Sequence, residues 1–327
     1  MGFLMAFPAA IAAFIARLGI IRFVALLVGL AFSSILLLSM IVGLATYFQN
    51  PPEELAAEKL HLHPKHLALP SDGPFGKYDK KQLQRGFQVY SEVCAACHGL
   101  SLVAFHDLQG LGYNEAEIKK IASDWKTQVP SINPDTGEAA GRKALPSDTI
   151  PSPFPNETAA RAANNNALPP DLSLITKARE GGAAYIYSLL TGYRDQSPEL
   201  LPEHPDAKTP PGLHYNPYFA NLNIAMPPPL TSNGQVTYAE GNPAPTVDQM
   251  AKDVSAFLVW AAEPKLENRH AAGFAVAIFL LFGTILGYYA YQQTWRDAKR
   301  VVRQTGVLEP KNQAKSRRAK AKQDIAG

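Results

Sequence analysis

Two charge-free apolar stretches stand near the two ends of this chain, and they limit its architecture before any motif is considered. Residues 23–48 run for 26 positions and residues 271–291 for 21 without a charged side chain. As a helix the second is about 31 Å long, enough to cross a hydrocarbon layer of ~30 Å. Arg17 and Arg22 precede the first run; Arg296, Lys299, Arg300 and Arg303 follow the second, behind Tyr288, Tyr289, Tyr291 and Trp295. Basic residues favour the cytoplasmic side and aromatic rings the interface, so both flanks are expected inside and everything between them outside. The first run exceeds a signal-peptide core, which favours an uncleaved signal anchor over a removed leader, although Gly43-Leu44-Ala45 is a weak cleavage candidate.

The layout expected is a cytoplasmic N-terminus (1–22), a signal anchor or signal peptide (23–48), a linker (49–75), an outer domain (76–269), a transmembrane anchor (270–293) and a basic, low-complexity cytoplasmic tail (294–327). Charge follows this division. Residues 53–269 carry 19 basic and 25 acidic side chains, whereas residues 271–327 carry 10 basic and 3 acidic, within an overall formal charge of +3. Nothing in this pattern points to nucleic acid.

The outer domain holds the only two cysteines, in Cys94-Ala95-Ala96-Cys97-His98. Two thiols three apart with an adjoining imidazole are the pattern of a c-type haem attachment site, the thiols bonding the vinyl groups and the histidine the iron. No second C-x-x-C exists to complete a zinc site, and no βαβ pattern supports a thioredoxin-like dithiol. With both cysteines used, no disulfide is expected. His61, His63 and His66 lie in the linker, where H-x-H can ligate metal, but no partner is spaced to finish a site, and a solvated linker is the simpler reading.

The iron needs a second axial ligand, and thioether sulfur raises haem potential. Met226 precedes Pro227-Pro228-Pro229, which would stiffen a ligand loop; Met250 falls on a helical pattern where methionine fills cores; His106 and His214 are weaker rivals. Pro169-Pro170 hold the backbone extended, and the Pro170 carbonyl suits the outer nitrogen of an iron-bound histidine; an ordinary loop is the competing reading. Arg179 is a candidate for the haem propionates, against a plain surface arginine.

Helices are expected at 80–93, 114–125, 183–190 and 246–262 from apolar residues at three- and four-residue steps. The first and last of these are expected to cross, with Gly86 allowing close approach. Residues 130–155 show no periodicity and read as an irregular surface excursion.

Five segments then resemble one family in its order: Arg85-Gly86-Phe87-Gln88-Val89-Tyr90 leading into the haem motif, Ala167-Leu168-Pro169-Pro170-Asp171-Leu172-Ser173, Leu189-Leu190-Thr191-Gly192-Tyr193, Met226-Pro227-Pro228-Pro229-Leu230, and Asp253–Leu258 with Trp260–Pro264. The sequence resembles the cytochrome c1 family, haem subunits of the ubiquinol–cytochrome c reductase (cytochrome bc1) complex, over residues 76–291. The resemblance implies a mainly α, class I cytochrome c-like haem domain with long loops and a C-terminal transmembrane helix, to which this chain adds a second, N-terminal apolar helix. It implies one covalent haem c bound by Cys94 and Cys97, iron ligated by His98 and Met226, propionates near Arg179 and Tyr185, Asn164 beside the haem and Pro170 behind His98. The implied partners are cytochrome b, the Rieske iron–sulfur protein, a cytochrome c acceptor and the membrane, in a dimeric complex. The triple proline resembles bacterial members, and together with the basic flanks this gives as the expected location a bacterial inner membrane with the haem domain on the periplasmic side. The function implied is one-electron relay, with no bond broken in this chain. A free-standing membrane-anchored cytochrome or oxidase subunit, and a haem-based sensor, are the alternatives that the haem motif alone leaves open.

Overall fold

The computed structural model describes residues 20–50, 56–196 and 204–302, with Pro202, Gln313, Ala314 and Arg318 besides. Most of the expected N-terminal segment 1–22, and nearly all of the basic tail beyond residue 302, lie outside the described residues. The chain divides into two compact units, Met1–Leu60 and His61–Gly327.

In the first unit, helix α1 (Ile20–Gln49) covers the N-terminal apolar run, and a short helix α2 (Ala56–Leu60) follows. No proline interrupts α1, and its Thr46 hydroxyl donates back to the Val42 carbonyl at 2.8 Å, so that polar group needs no water. The helix is long and apolar enough to cross a membrane.

The second unit contains α3 (Lys80–Glu92), β1 (Leu100–Ala104), α4 (Glu115–Ser123), β2 (Val129–Ile132), β3 (Ala139–Arg142), β4 (Thr149–Ile150), α5 (Glu157–Ala163), α6 (Ile175–Ala178), α7 (Gly182–Leu190), β5 (His214–Tyr215), β6 (Asn223–Ile224), α8 (Val247–Ala262) and α9 (Leu266–Val302). The strands form three two-stranded antiparallel ribbons, β1–β4, β2–β3 and β5–β6, so the domain is mainly α with long connections. Each expected helix is present within a few residues of its expected ends. Side-chain caps account for the starts: Asp79 accepts from the Lys81 and Gln82 amides, Asn114 from Glu117, and Thr246 from Gln249.

Helices α3 and α8 cross at Gly86. A Cβ there would lie 2.1 Å from the Asp253 carbonyl oxygen and 2.6 Å from the Phe257 Cβ, so only glycine permits this approach. Phe257 then packs against Phe87 and Tyr90, at ring-centroid distances of 5.6 and 5.7 Å, and Trp125 stacks on both of those rings. Beside the crossing, Arg85 grips Asp253 bidentately, Nε to Oδ2 at 2.8 Å and Nη2 to Oδ1 at 3.0 Å, and the Gln249 amide donates to the same carboxylate.

Two regions differ from expectation. Residues 129–142 form a hairpin rather than an irregular excursion, closed over a turn in which Gly137 has φ +71° and Asn133 N donates to Glu138 O at 2.8 Å. Pro130 is tolerated because a two-stranded ribbon has only edge positions. The stretch 49–75, expected as a linker, is bound to the domain from His61 onward. Leu62 N donates to Pro217 O, Lys65 N to Ser188 Oγ at 2.7 Å, and Lys65 Nζ to the Thr191 hydroxyl at 2.7 Å, beside the rings of Tyr187 and Tyr218. These contacts reach across more than a hundred residues, which no local pattern reports.

Helix α8 passes into α9 within three residues at Glu263. Its carboxylate accepts from Lys177 Nζ at 2.6 Å and pairs with Arg269 Nε, while its backbone carbonyl accepts from the Tyr78 hydroxyl at 2.8 Å. The α9 helix that follows is also long and apolar enough to cross a membrane.

Arg85→Met leaves the Asp253 carboxylate, 0% exposed, without its cation, and is expected to lower unfolding free energy by about 3–5 kcal/mol. Denaturant titration of the full chain in detergent measures this, and adding Asp253→Leu should restore most of the loss. Lys177, then Arg269, hold the Glu263 carboxyl below the usual carboxylate range against the effect of burial. A depressed folded pKa stabilises fully above the unfolded value of ~4.3 and ceases to do so as pH falls through the folded one. Hydrogen-exchange protection of residues 262–268 should therefore decline on acidification below that range, and Glu263→Gln should remove this dependence.

Candidate haem site

The two thiols and the imidazole leave one tight turn. Helix α3 ends at Glu92, Val93 closes it with N–H to Val89 O, and a 3-10 turn over Cys94–Ala96 follows, in which the Cys97 and His98 amides both donate to the Cys94 carbonyl, at 3.1 and 2.9 Å. The fully buried Tyr90 fixes the exit of this turn by donating its hydroxyl to His98 O at 2.9 Å. Cys94 is half-buried and Cys97 exposed, and neither is in a disulfide. Burial, then the neighbouring Cys97, pushes the Cys94 thiol up to about 12.

His98 Nδ1 lies 2.7 Å from the Pro170 carbonyl oxygen. A carbonyl only accepts, so Nδ1 carries the hydrogen and Nε2 holds the lone pair of the neutral ring. Burial lowers the imidazole pKa, against the Pro170 carbonyl and Asp171, which favours that neutral form.

The proline segment is itself stitched to the strand that follows His98. Asp171 accepts from Ser101 N at 2.8 Å and Ser173 N at 2.9 Å, the Ser173 hydroxyl accepts from Leu102 N at 3.1 Å, and Leu172 N donates to Gly99 O at 2.9 Å. Ring and carbonyl are thus held from both sides.

Met226 is half-buried two residues beyond β6. The β5–β6 pairing and the Asn216 N to Leu222 O bond of 2.7 Å brace its loop, and the Tyr193 hydroxyl donates to Met226 O at 3.0 Å. Met250, by contrast, is 0% exposed in the hydrophobic core. His106 points outward with its side chain 63% exposed, and His214 lies in β5.

Arg179 is exposed just after α6, and Tyr185 is half-buried on α7. The two are near enough that the guanidinium charge offsets part of the rise that burial imposes on the phenol. Asn164 caps the C-terminal end of α5 and donates its amide to Ala160 O at 2.7 Å.

The structure thus joins His98 to Pro170 and sets Arg179 close to Tyr185, while the Asn164 amide is spent on its own helix. Tyr90, Asp171 and Tyr193 carry positioning roles that sequence reasoning did not assign, although each stands inside a segment that carried the family resemblance. The donor chemistry fits a covalently attached haem: two thiols outside any disulfide, a neutral imidazole with one nitrogen available, a braced thioether, and an arginine beside a phenol.

The Cytochrome C1 family profile matches residues 69–298. The chain belongs to the cytochrome c1 family. A c-type haem is typical of that family. The chain is 46% identical over 236 residues to "Cytochrome c1" of Rhodospirillum rubrum, covering 69% of this chain and 85% of that protein. It is 43% identical over 247 residues to "Cytochrome c1, heme protein, mitochondrial" of Saccharomyces cerevisiae, covering 76% and 77%. Against "Cytochrome b/c1" of Bradyrhizobium diazoefficiens it is 46% identical over 241 residues, 69% of this chain but only 34% of that longer protein.

Asp171→Ala removes the acceptor for two backbone amides. With the carboxylate partly open to solvent, a loss of about 1 kcal/mol in unfolding free energy is expected. Hydrogen exchange at the Ser101 and Ser173 amides should quicken, and unaltered protection there would contradict the role given to this carboxylate.

Proposed function

We propose that this chain is the electron-carrying haem subunit of a bacterial cytochrome bc1 complex, passing single electrons from a Rieske iron–sulfur protein to a cytochrome c. The observation that carries this is the His98–Pro170 hydrogen bond at the C-x-x-C-H turn, in a chain of this family. Cys94 and Cys97 would hold the haem through its vinyl groups, and His98 Nε2 and the Met226 sulfur would ligate its iron. Bound there, the haem supplies a one-electron ferric–ferrous couple.

The chain's own residues do the rest. Pro170 fixes the imidazole ring and raises its basicity through the shared hydrogen. Tyr193 and the three prolines after Met226 limit the travel of a weak ligand. The Arg179 fork and the Tyr185 hydroxyl would receive the propionates, and Asn164 would border the macrocycle. No bond is broken in this subunit.

The relative named "Cytochrome b/c1" supports cytochrome b as a permanent partner, and the complex is dimeric. Helix α9 anchors the chain and α1 supplies a second span, with residues 76–269 on the periplasmic side of the inner membrane and the basic tail inside. The acidic excess of residues 53–269 favours approach of a basic cytochrome c.

Met226→Leu tests the ligand set. Ferrous protein should acquire carbon monoxide binding, and the midpoint potential should fall by a sizeable part of the ~0.8 V range that axial ligands control. An unchanged spectrum and potential would remove Met226 from the iron. Purification in mild detergent should bring down cytochrome b and the iron–sulfur protein together with this chain; a free-standing cytochrome would elute alone.

A further inference from the structure

Among the described large apolar side chains, Phe75 and Phe48 are the most exposed, each at 76%. A single exposed apolar residue needs no explanation in general, but Phe75 is held where it is. Leu69 to Lys77 form a closed turn: Asp72 N donates to Leu69 O, Lys77 N to Pro70 O at 2.9 Å, and Asp72 accepts from Leu69 N at 2.8 Å. Gly73 takes φ +78°, and a Cβ on Gly76 would fall 2.2 Å from Ser71 O, so the turn is compact and has no room to rearrange.

The turn is also fastened to the start of α9. Tyr78 N donates to Glu267 Oε1 at 2.8 Å, and the Tyr78 hydroxyl reaches Glu263 O. With both ties made, the Phe75 ring sits edge-on against Phe274, centroids 5.8 Å apart. Phe274 is the fourth residue of the charge-free run and lies five residues past Arg269, about 7.5 Å further along the helix axis. It is itself 57% exposed, on a surface that lipid would cover if α9 spans.

We infer that Phe75 is a second, non-helical membrane contact: the 69–77 turn seats the haem domain on the bilayer by laying this ring into the outer boundary of the hydrocarbon beside α9. The inference rests on the reading of α9 as a membrane span. The partner is lipid because Phe75 meets the apolar surface of α9 at Phe274, about 7.5 Å past Arg269 and within the 5–10 Å to which interfacial apolar faces sink into the headgroup–acyl boundary. The neighbouring exposed Lys77 is long enough to keep its ammonium among headgroups. A contact off the axis of α9 restrains the tilt and rotation of the domain about that helix.

Spin-label accessibility tests this in the whole complex, reconstituted in phosphatidylcholine vesicles. With Cys94 and Cys97 bonded to haem, nitroxides are placed singly through Phe75→Cys, Leu281→Cys in the middle of α9 and Ile132→Cys on the exposed β2, and collisions with lipid-soluble oxygen and a water-soluble nickel chelate are compared. The oxygen-to-nickel ratio at 75 should resemble that at 281 and exceed that at 132. A ratio at 75 matching 132, with 281 still lipid-like, overturns the inference and leaves the span intact. A label at 75 shielded from both reagents means that protein covers the turn, and also overturns it. Nickel access at 281 would instead defeat the reading of α9 as a span.

Discussion

Two backbones meet where Gly86 has no side chain, and the position of the haem turn follows from that contact. Because α3 lies directly on α8 there, Phe257 can pack against Phe87 and Tyr90, and Arg85 can reach Asp253. Tyr90, fixed in that cluster, then holds the carbonyl of His98. A methyl group at residue 86 would push the helices apart, and the shift would be passed through Tyr90 to the imidazole. The dense aromatic packing therefore sets the geometry of the His98 turn as well as stability.

The helices were legible because their information is local. Caps at Asp79, Asn114 and Thr246 and apolar residues at helical steps are enough to place them. The crossing at Gly86 could also be anticipated, since a glycine on the buried face of a helix is costly unless something approaches closely. What could not be read were pairings between distant segments. The 129–142 hairpin lacks an alternating apolar pattern because it buries little apolar surface beyond Val129, and the attachment of residues 61–69 depends on partners at 188, 191 and 217.

The site divides in the same way. The C-x-x-C-H turn is visible in sequence, and paired prolines suggested a free carbonyl for His98. That carbonyl's support was not visible: Asp171 is an acid in a loop until the fold brings the Ser101 amide to it. Tyr193 likewise becomes a brace for Met226 only once the fold brings its hydroxyl to the Met226 carbonyl. Sequence can nominate donor atoms because ligation needs rare residue types, and it gives little sign of their supports because backbone amides and hydroxyls are everywhere.

The short passage from α8 to α9 carries a consequence for traffic through the protein. Only three residues, 263–265, separate the two helices, and Lys177, Arg269 and Tyr78 all clamp the first of them. The haem domain is joined to its anchor by a stiff elbow, with no slack tether. Such a joint does not let the domain swing freely, so in the relay proposed above the travel would fall to the molecules that call on it.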